Sequence, residues 1–463
     1  MFGTNLRQKF LANRVIFYGL YTIVLLYIGY LMGYHHHQAD LPPPVNLTED
    51  MNEDSDLAIK NVEDEQNNNV ADSKEELDSS AQTMEGKENI QMISVEEKID
   101  SGAQTVEGEE NTQVTMVEEK VDAGAQMVES EKNIQMIGEE KKKEFSSVTH
   151  ANTMKLMEYL EDIYGKKILS GQHLSEDFSE VEAIYQITGK KPALLGFDFM
   201  DYSVSRVERG AKGIDTEKAI QWWREGGIAT FCWHWNAPMN LIDKGPDKQW
   251  YRGFYTEATT FNFAKGIENT ESEEYRLMIR DIDVIAEELK KLQEEGVPVL
   301  WRPLHEASGG WFWWGSQGSE PYKKLWRIMF DRMTNYHHLS NLIWVWNGEN
   351  QEWYPGDDVV DIVGIDFYGP QNDYSPRDEE FKTVEVYTDK HKMAALTETG
   401  VIPDPDSLLA TGTKWLWYMT WCGEFVLTKD QKSYSDEYTQ AWMLKKAYQH
   451  DYVITKDELP QFR

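Results

Sequence analysis

Residues 298–315 read Pro298-Val-Leu-Trp-Arg-Pro-Leu-His-Glu306-Ala-Ser-Gly-Gly-Trp-Phe-Trp-Trp-Gly315, a short apolar run that ends on a carboxylate and opens into an aromatic loop. An apolar run of this length, bounded by Gly and Pro, reads as a buried strand. Taking 297–306 as such a strand, seven more runs of the same kind fall at 168–173, 193–199, 227–235, 341–347, 360–368, 394–400 and 416–423. Longer amphipathic stretches, 273–296 and 319–339 among them, lie between these runs. Strands alternating with helices predict an α/β fold, and eight of them over roughly 300 residues predict a (β/α)8 TIM barrel enlarged by its loops. The competing architecture is a doubly wound open sheet, but no Gly-rich phosphate loop follows any of the runs.

Barrels of this kind carry their chemistry at the carboxyl ends of the strands. The residues there are Gln172 and His173 on the first run, Asp198 and Asp201 on the second, and Trp233 to Asn236 on the third. The fourth ends in Arg302, His305 and Glu306, the sixth in Asp366 and Tyr368, the seventh in Glu398 and the eighth in Trp421. Strands four and seven lie roughly across a ring of eight, so Glu306 and Glu398 converge from opposite rims. Two carboxyls flanking one bond suit glycoside hydrolysis, with about 5–5.5 Å between them for retention and more for inversion. Sugar faces also pack well on flat aromatic rings, and Trp311, Trp313 and Trp314 follow Glu306 directly. The same rings would keep Glu306 protonated as an acid, while a hydroxyl donated to Glu398 would favour its charged form. The plain alternative is that both glutamates are rim residues paired with neighbours such as Arg302. His305-Glu306 begins like a zinc-protease helix, but position 309 is Gly where a second His is needed and Pro303 argues for a strand. No metal and no cofactor is therefore expected. Trp222, Trp223, Trp326 and Trp442 sit on helix-like segments and are expected to pack in the core.

These motifs together resemble glycoside hydrolase family 26, the family of the β-mannanases, over about residues 150–450. The resemblance rests on Arg302-Pro-Leu-His-Glu306, on Gly310-Trp-Phe-Trp-Trp-Gly315, on Thr230-Phe-Cys-Trp-His234, on the run Tyr354 to Tyr368 and on Leu396-Thr-Glu398. It implies Glu306 as acid/base and Glu398 as nucleophile. It further implies that His234, His305, Trp311, Asp366, Tyr368 and Trp421 line the substrate cleft, with Tyr368 hydrogen-bonded to the nucleophile. Arg302 joins this set as a substrate-binding candidate from its strand-end position. The family often carries Met-Asn after His-Glu, and here Ala307-Ser308 stands there. The implied activity is endo-hydrolysis of internal β-1,4-mannosidic bonds with retention; a mixed-linkage β-glucanase or β-xylanase of the same fold, or a silent carbohydrate-binding surface protein, are the alternatives.

The first third of the chain is of another kind. All 17 Trp lie between Trp222 and Trp442, so residues before about 146 share none of the aromatic-rich core. Arg7, Lys9 and Arg14, in a basic segment over 1–14, precede an apolar run at 15–34 that has the length of a membrane helix. No small-x-small cleavage site follows it, so a signal anchor is expected, with the chain after Tyr34 outside the cell and a cleaved, secreted form as the alternative. Residues 35–145 form an acidic, low-complexity stalk, with 28 Asp plus Glu against 9 Lys over 41–145. Within it, Ala81-Gln-Thr-Met-Glu-Gly, Ala103-Gln-Thr-Val-Glu-Gly and Ala125-Gln-Met-Val-Glu-Ser recur every 22 residues. Its composition predicts a flexible spacer, and its apolar row at steps of 3, 4 and 4 permits a self-associating coiled coil. A net charge of −34 leaves no basic surface for nucleic acid. The expected partners are a polysaccharide substrate and, through the anchor, a membrane. Of only two cysteines, Cys232 falls on strand three and Cys422 on strand eight, which are not ring neighbours, so free thiols are expected.

Overall fold

The computed structural model describes residues 149–462. Eight parallel strands close into a ring: β1 (Ile168–His173), β2 (Leu194–Asp198), β3 (Ile228–Cys232), β4 (Val299–Arg302), β5 (Leu342–Trp346), β6 (Ile362–Phe367), β7 (Ala394–Thr399) and β8 (Trp417–Thr420). Consecutive strands pair, and β8 closes on β1, as a (β/α)8 barrel requires. Because both faces of such a sheet are covered, most of these strands read as unbroken apolar runs rather than alternating ones. A ninth strand, β9 (Val453–Ile454), lies outside the ring. Leu169 pairs with Trp417 of β8 on one edge and Ile454 of β9 on the other, while β2 takes that second edge only from Gly171 onward. The two residues of β9 thus cover a stretch of β1 edge that the ring leaves open, where unpaired N–H and C=O groups would otherwise stand.

The helices follow from their periodicity. Glu273–Glu294 buries Leu277, Met278, Ile282, Ile285, Ala286, Leu289 and Leu292, one stripe at steps of three and four. It starts where the Ser272 side chain accepts the N–H of Tyr275, and the chain turns out just beyond it at Gly296, whose φ of 73° suits a residue without Cβ. The second expected helix is shorter than its 319–339 pattern: Ser319–Asp331 is α-helical and Arg332–Tyr336 widens into a π turn. Trp222, Trp223 and Trp326 are buried as expected, but Trp442 is 57% exposed and leans on Tyr374 rather than on the core. Both cysteines are free thiols, Cys232 buried and Cys422 half-buried, and β1 and β2 separate the strands that carry or precede them.

No helix among the described residues is long and apolar enough to cross a membrane. The expected anchor at 15–34 and the stalk at 35–145 lie outside the described residues.

Candidate active site

The deciding stretch departs from a simple strand. β4 stops at Arg302 because Pro303 has no N–H to donate to a neighbour, so Glu306 is delivered by a loop and not by the strand expected to run to it. That loop is tightly bent: Leu304 and Glu306 both have left-handed backbones, with φ of 53° and 52°. Such conformations cost on the order of 1 kcal/mol each for residues with a Cβ and need an offset. It comes from three sides. The Glu306 N–H donates to the Asn347 carbonyl at 3.0 Å, the Tyr322 hydroxyl to the Leu304 carbonyl at 3.1 Å, and the Trp314 indole to the His305 carbonyl at 2.8 Å. The aromatic loop then folds back over the acid. Trp311 donates its indole N–H to Glu306 Oε2 at 2.8 Å, so it holds the acid in place; the expectation from sequence had it only as a sugar platform. Gly309 makes room for that ring, since a Cβ there would stand 2.0 Å from it. Gly315 likewise lies against the Ala307 carbonyl, which makes Ala307, fully buried, a packing position. Trp313 and Trp314 are also fully buried and make no exposed platform.

Glu398 is held quite differently. It lies within β7, beside Asp366 of β6, and Arg302 reaches both: its Nη1 donates to Asp366 Oδ2 at 2.8 Å and its Nη2 pairs with Glu398 Oε1. The Tyr368 hydroxyl donates to Glu398 Oε2 at 2.6 Å. Asp366 is saturated in turn by Asn347 Nδ2 and Thr397 Oγ1, each at 2.6 Å. Arg302 is thus an organiser of the buried carboxylates rather than an open substrate ligand. Burial works against its charge, but Asp366 and Glu398 hold it protonated well beyond the usual range. Glu306, Asp366 and Glu398 each offer an oxygen within 4.8 Å of the others, a spacing that a cation could bridge. Arg302 already stands in that place with the compensating charge, and both Asp366 oxygens are taken by donors, so the set fits a neutralised carboxylate cluster better than a metal centre.

The environments separate the two glutamates. Glu306 is 8% and Glu398 4% exposed. Burial, with the charges of Glu349, Asp366 and Glu398 adding to it, pushes the Glu306 carboxyl well above its ordinary value, and the Trp311 bond opposes this. Burial and Asp366 also push Glu398 up, to about 7, but the Arg302 guanidinium and the Tyr368 hydroxyl pull it back. Tyr368 therefore favours the charged form as expected, without bringing the group into the normal carboxylate range. Of the pair, Glu306 keeps its proton and Glu398 gives it up first.

A histidine pair closes the other side. His234 Nδ1 lies 2.5 Å from Asp198 Oδ2, its backbone N–H bonds Asp198 Oδ1 at 3.0 Å, and its Nε2 faces His305 Nε2 at 3.3 Å. Against its own burial, Asp198 is held well below the usual carboxylate range by His234. Burial keeps His305 neutral. Trp421 packs against His173 at 4.2 Å between ring centres and reaches His234 at 6.0 Å, so it stands at the site though nearly buried. All nine candidate residues, Glu306, Glu398, His234, Arg302, His305, Trp311, Asp366, Tyr368 and Trp421, are therefore gathered at one end of the barrel. The sequence reading missed Asn347 and Glu349 on the exit of β5; Asn347 ends an apolar run like the other site residues, and that was the available signal.

A barrel with two differently held glutamates at the carboxyl ends of opposing strands defines a site of the glycosidase type. The profile of glycosyl hydrolase family 26 matches residues 146–458, and the chain belongs to that family. A mannan endo-1,4-beta-mannosidase of Thermothelomyces thermophilus is 46% identical over 310 residues, covering 67% of this chain and 61% of the relative. Mannan endo-1,4-beta-mannosidase A of a Piromyces species is 39% identical over 66% of this chain and 49% of the relative. The match thus spans only about half to three fifths of these curated relatives. Among solved structures, the GH26-CBM35 beta-(1,4)-mannanase of Podospora anserina is 44% identical with a TM-score of 0.63, covering 67% of both chains. A beta-mannanase from a symbiotic protist of the termite Reticulitermes speratus, solved with a gluco-manno-oligosaccharide, is 31% identical with a TM-score of 0.56, covering 65% of this chain and 93% of that one.

Proposed function

We propose that the barrel is an endo-acting β-mannanase that cleaves internal β-1,4-mannosidic bonds with retention, Glu398 attacking and Glu306 acting as acid and then base. The observation that carries this reading is the pair of buried glutamates with oxygens within 4.8 Å, close enough to flank one bond as a double displacement needs, in surroundings that give them unequal hold on a proton. Glu398, ionised beside Arg302 and Tyr368, attacks the anomeric carbon; Glu306 protonates the leaving oxygen and becomes anionic. As the ester forms, the negative charge leaves Glu398 and arrives on Glu306, so the net charge around Arg302 is unchanged through the step. Glu306 then takes a proton from water, which attacks the ester and frees Glu398. His234, fixed by Asp198 and backed by the buried, neutral His305, lines the sugar site, and Trp421 and the exposed side of Trp311 offer faces to the ring.

The anchor and stalk complete the proposal: the barrel works outside the cell, tethered to the membrane by residues 15–34 and spaced from it by residues 35–145. The membrane reading rests on the apolar run, and self-association on the 22-residue repeats. Reducing-sugar release by the full chain from mannan, glucomannan, lichenan and xylan tests the substrate, with nuclear magnetic resonance of the first-formed anomer testing retention. Release from mannan with a β-anomer first is expected. Preference for lichenan or xylan would move the substrate assignment, and no release from any of the four would leave a carbohydrate-binding protein.

A further inference from the structure

Trp442, whose helical pattern predicts a core position, stands 57% exposed as the second residue of the helix Ala441–Tyr448. A single exposed apolar side chain is ordinary on a protein surface, but this one is held in place. Its indole N–H donates to Gln440 Oε1 at 2.6 Å, and the Tyr374 ring stands perpendicular to it, at 81° and 5.7 Å between ring centres. Tyr374 is fixed in turn, its hydroxyl accepting the Gln440 N–H at 3.1 Å and donating to Asn372 Oδ1 at 3.0 Å. With its one polar atom engaged, the surface that Trp442 turns to water is mainly ring carbon. The other two exposed aromatic side chains among the described residues differ: Lys191 lies over Tyr185 at 5.9 Å and Arg332 over Tyr336 at 3.5 Å. No cation lies over Trp442 among the described residues.

The position of the ring indicates what it binds. In a (β/α)8 barrel each helix runs back from the carboxyl end of the strand before it, so the start of the helix after β8 and the chain leaving β6 both lie on the catalytic face. A line of contacts ties them to the nucleophile. Tyr368, bonded to Glu398, is followed by the rings of Phe425 and Tyr438 at successive spacings of 5.3 and 4.4 Å. The Tyr438 carbonyl accepts the Asn372 N–H at 2.9 Å, and Asn372 leads to Tyr374 and so to Trp442. Two exposed carboxylates precede the helix: Asp436 Oδ1 accepts the Ala441 N–H at 2.5 Å and Glu437 Oε1 the Gln371 amide at 2.9 Å. Their charge, on a chain of net charge −34, repels an anionic ligand, while their remaining lone pairs accept from hydroxyls. A fixed carbon face rimmed by acceptors suits a neutral sugar ring. On the polysaccharide-cleaving reading given above, we propose that Trp442 is a sugar-binding platform outside the cleavage site. One hexose unit of a long β-mannan chain stacks on it while another stretch of the same chain lies at Glu306 and Glu398. Two contacts on one polymer strengthen its hold through effective concentration.

The test is retardation of the full chain in native gels cast with soluble glucomannan, in a Glu398→Ala background so that the polymer stays intact. Adding Trp442→Ala is expected to weaken retardation about three- to tenfold, and Trp442→Phe, which keeps a smaller ring, by less. Equal retardation of the parent and the Ala variant would overturn the inference. So would a parent that the polymer does not retard, or an Ala variant that changes the oligomeric state in sedimentation, which would make the ring a contact between copies of the chain. Wild-type release from lichenan or xylan but not from mannan would instead defeat the functional reading, and the same gels cast with that polymer would then decide the platform.

Discussion

The exit of β4 and the end of β7 present the same side chain in opposite ways. Glu398 sits on strand β7, where the pairing with β6 and β8 shifts register, and is gripped by charge and hydroxyl; Glu306 sits on a left-handed loop residue and is gripped by one indole N–H among apolar rings and other acids. A strand position suffices for the nucleophile because its partners, Arg302 at the end of β4 and Tyr368 just past β6, are themselves fixed by the barrel. The acid needs distance from cations, and the barrel rim offers that only where the chain leaves the sheet. The difference in role is thus a difference in which part of the barrel carries the carboxyl.

The most direct way to break the comparison is to delete each group. Glu398→Ala is expected to lose at least about 10⁴-fold in kcat on every substrate, since no other group can form the ester. Glu306→Ala is expected to lose about 10²–10⁴-fold on mannan but far less in the first step on an aryl mannoside whose leaving group needs no proton. Equal losses of the Glu306 variant on both substrates, in pre-steady-state assays, would sink the asymmetry. A smaller effect follows from Tyr368→Phe. Losing a hydrogen bond to a charged group corresponds to about 1.5–3 kcal/mol, roughly 10–100-fold. The wild-type acid limb should fall as Glu398, at about 7, takes up its proton; without the hydroxyl that favours its anion, the limb should move to higher pH. A limb that stays or moves down would remove Tyr368 from the account. The smallest change is expected for Trp311→Phe, a loss of about tenfold or less. Its N–H favours the Glu306 anion, so its removal should shift the alkaline limb upward. An alkaline limb unmoved by the Phe variant would mean that the indole serves sugar alone.

Much of this was legible in the chain. Each of the eight apolar runs contains its strand, because a doubly covered sheet leaves an apolar signature that turns interrupt. The runs overshoot at their carboxyl ends, as at Val297 to Glu306, where the buried Leu304 prolongs the apolar signature past the point at which Pro303 ends β4. β9 escaped because two residues show no period. Glu349 escaped because Gly-Glu-Asn after an apolar run reads as an exposed turn, whereas its backbone is left-handed and one of its carboxyl oxygens is shut away from solvent. The tryptophans divided by neighbours rather than by pattern: Trp326 faces Trp344 of β5, whereas Trp442, on an equally helical stretch, meets only Tyr374 among the aromatic rings around it.

The two residues of β9 have a consequence in time. They complete an edge of β1, 284 residues earlier between Ile454 and Ser170, whose hydroxyl donates to the Ile454 carbonyl. Contacts of such separation close late and slowly. During synthesis, the first strand of the barrel must therefore leave the ribosome with one side open and stay so until residues 453–454 emerge. The acidic stretch over 41–145, made before any strand, travels with it throughout, and like charge on neighbouring nascent chains discourages the edge-to-edge pairing that an open strand invites.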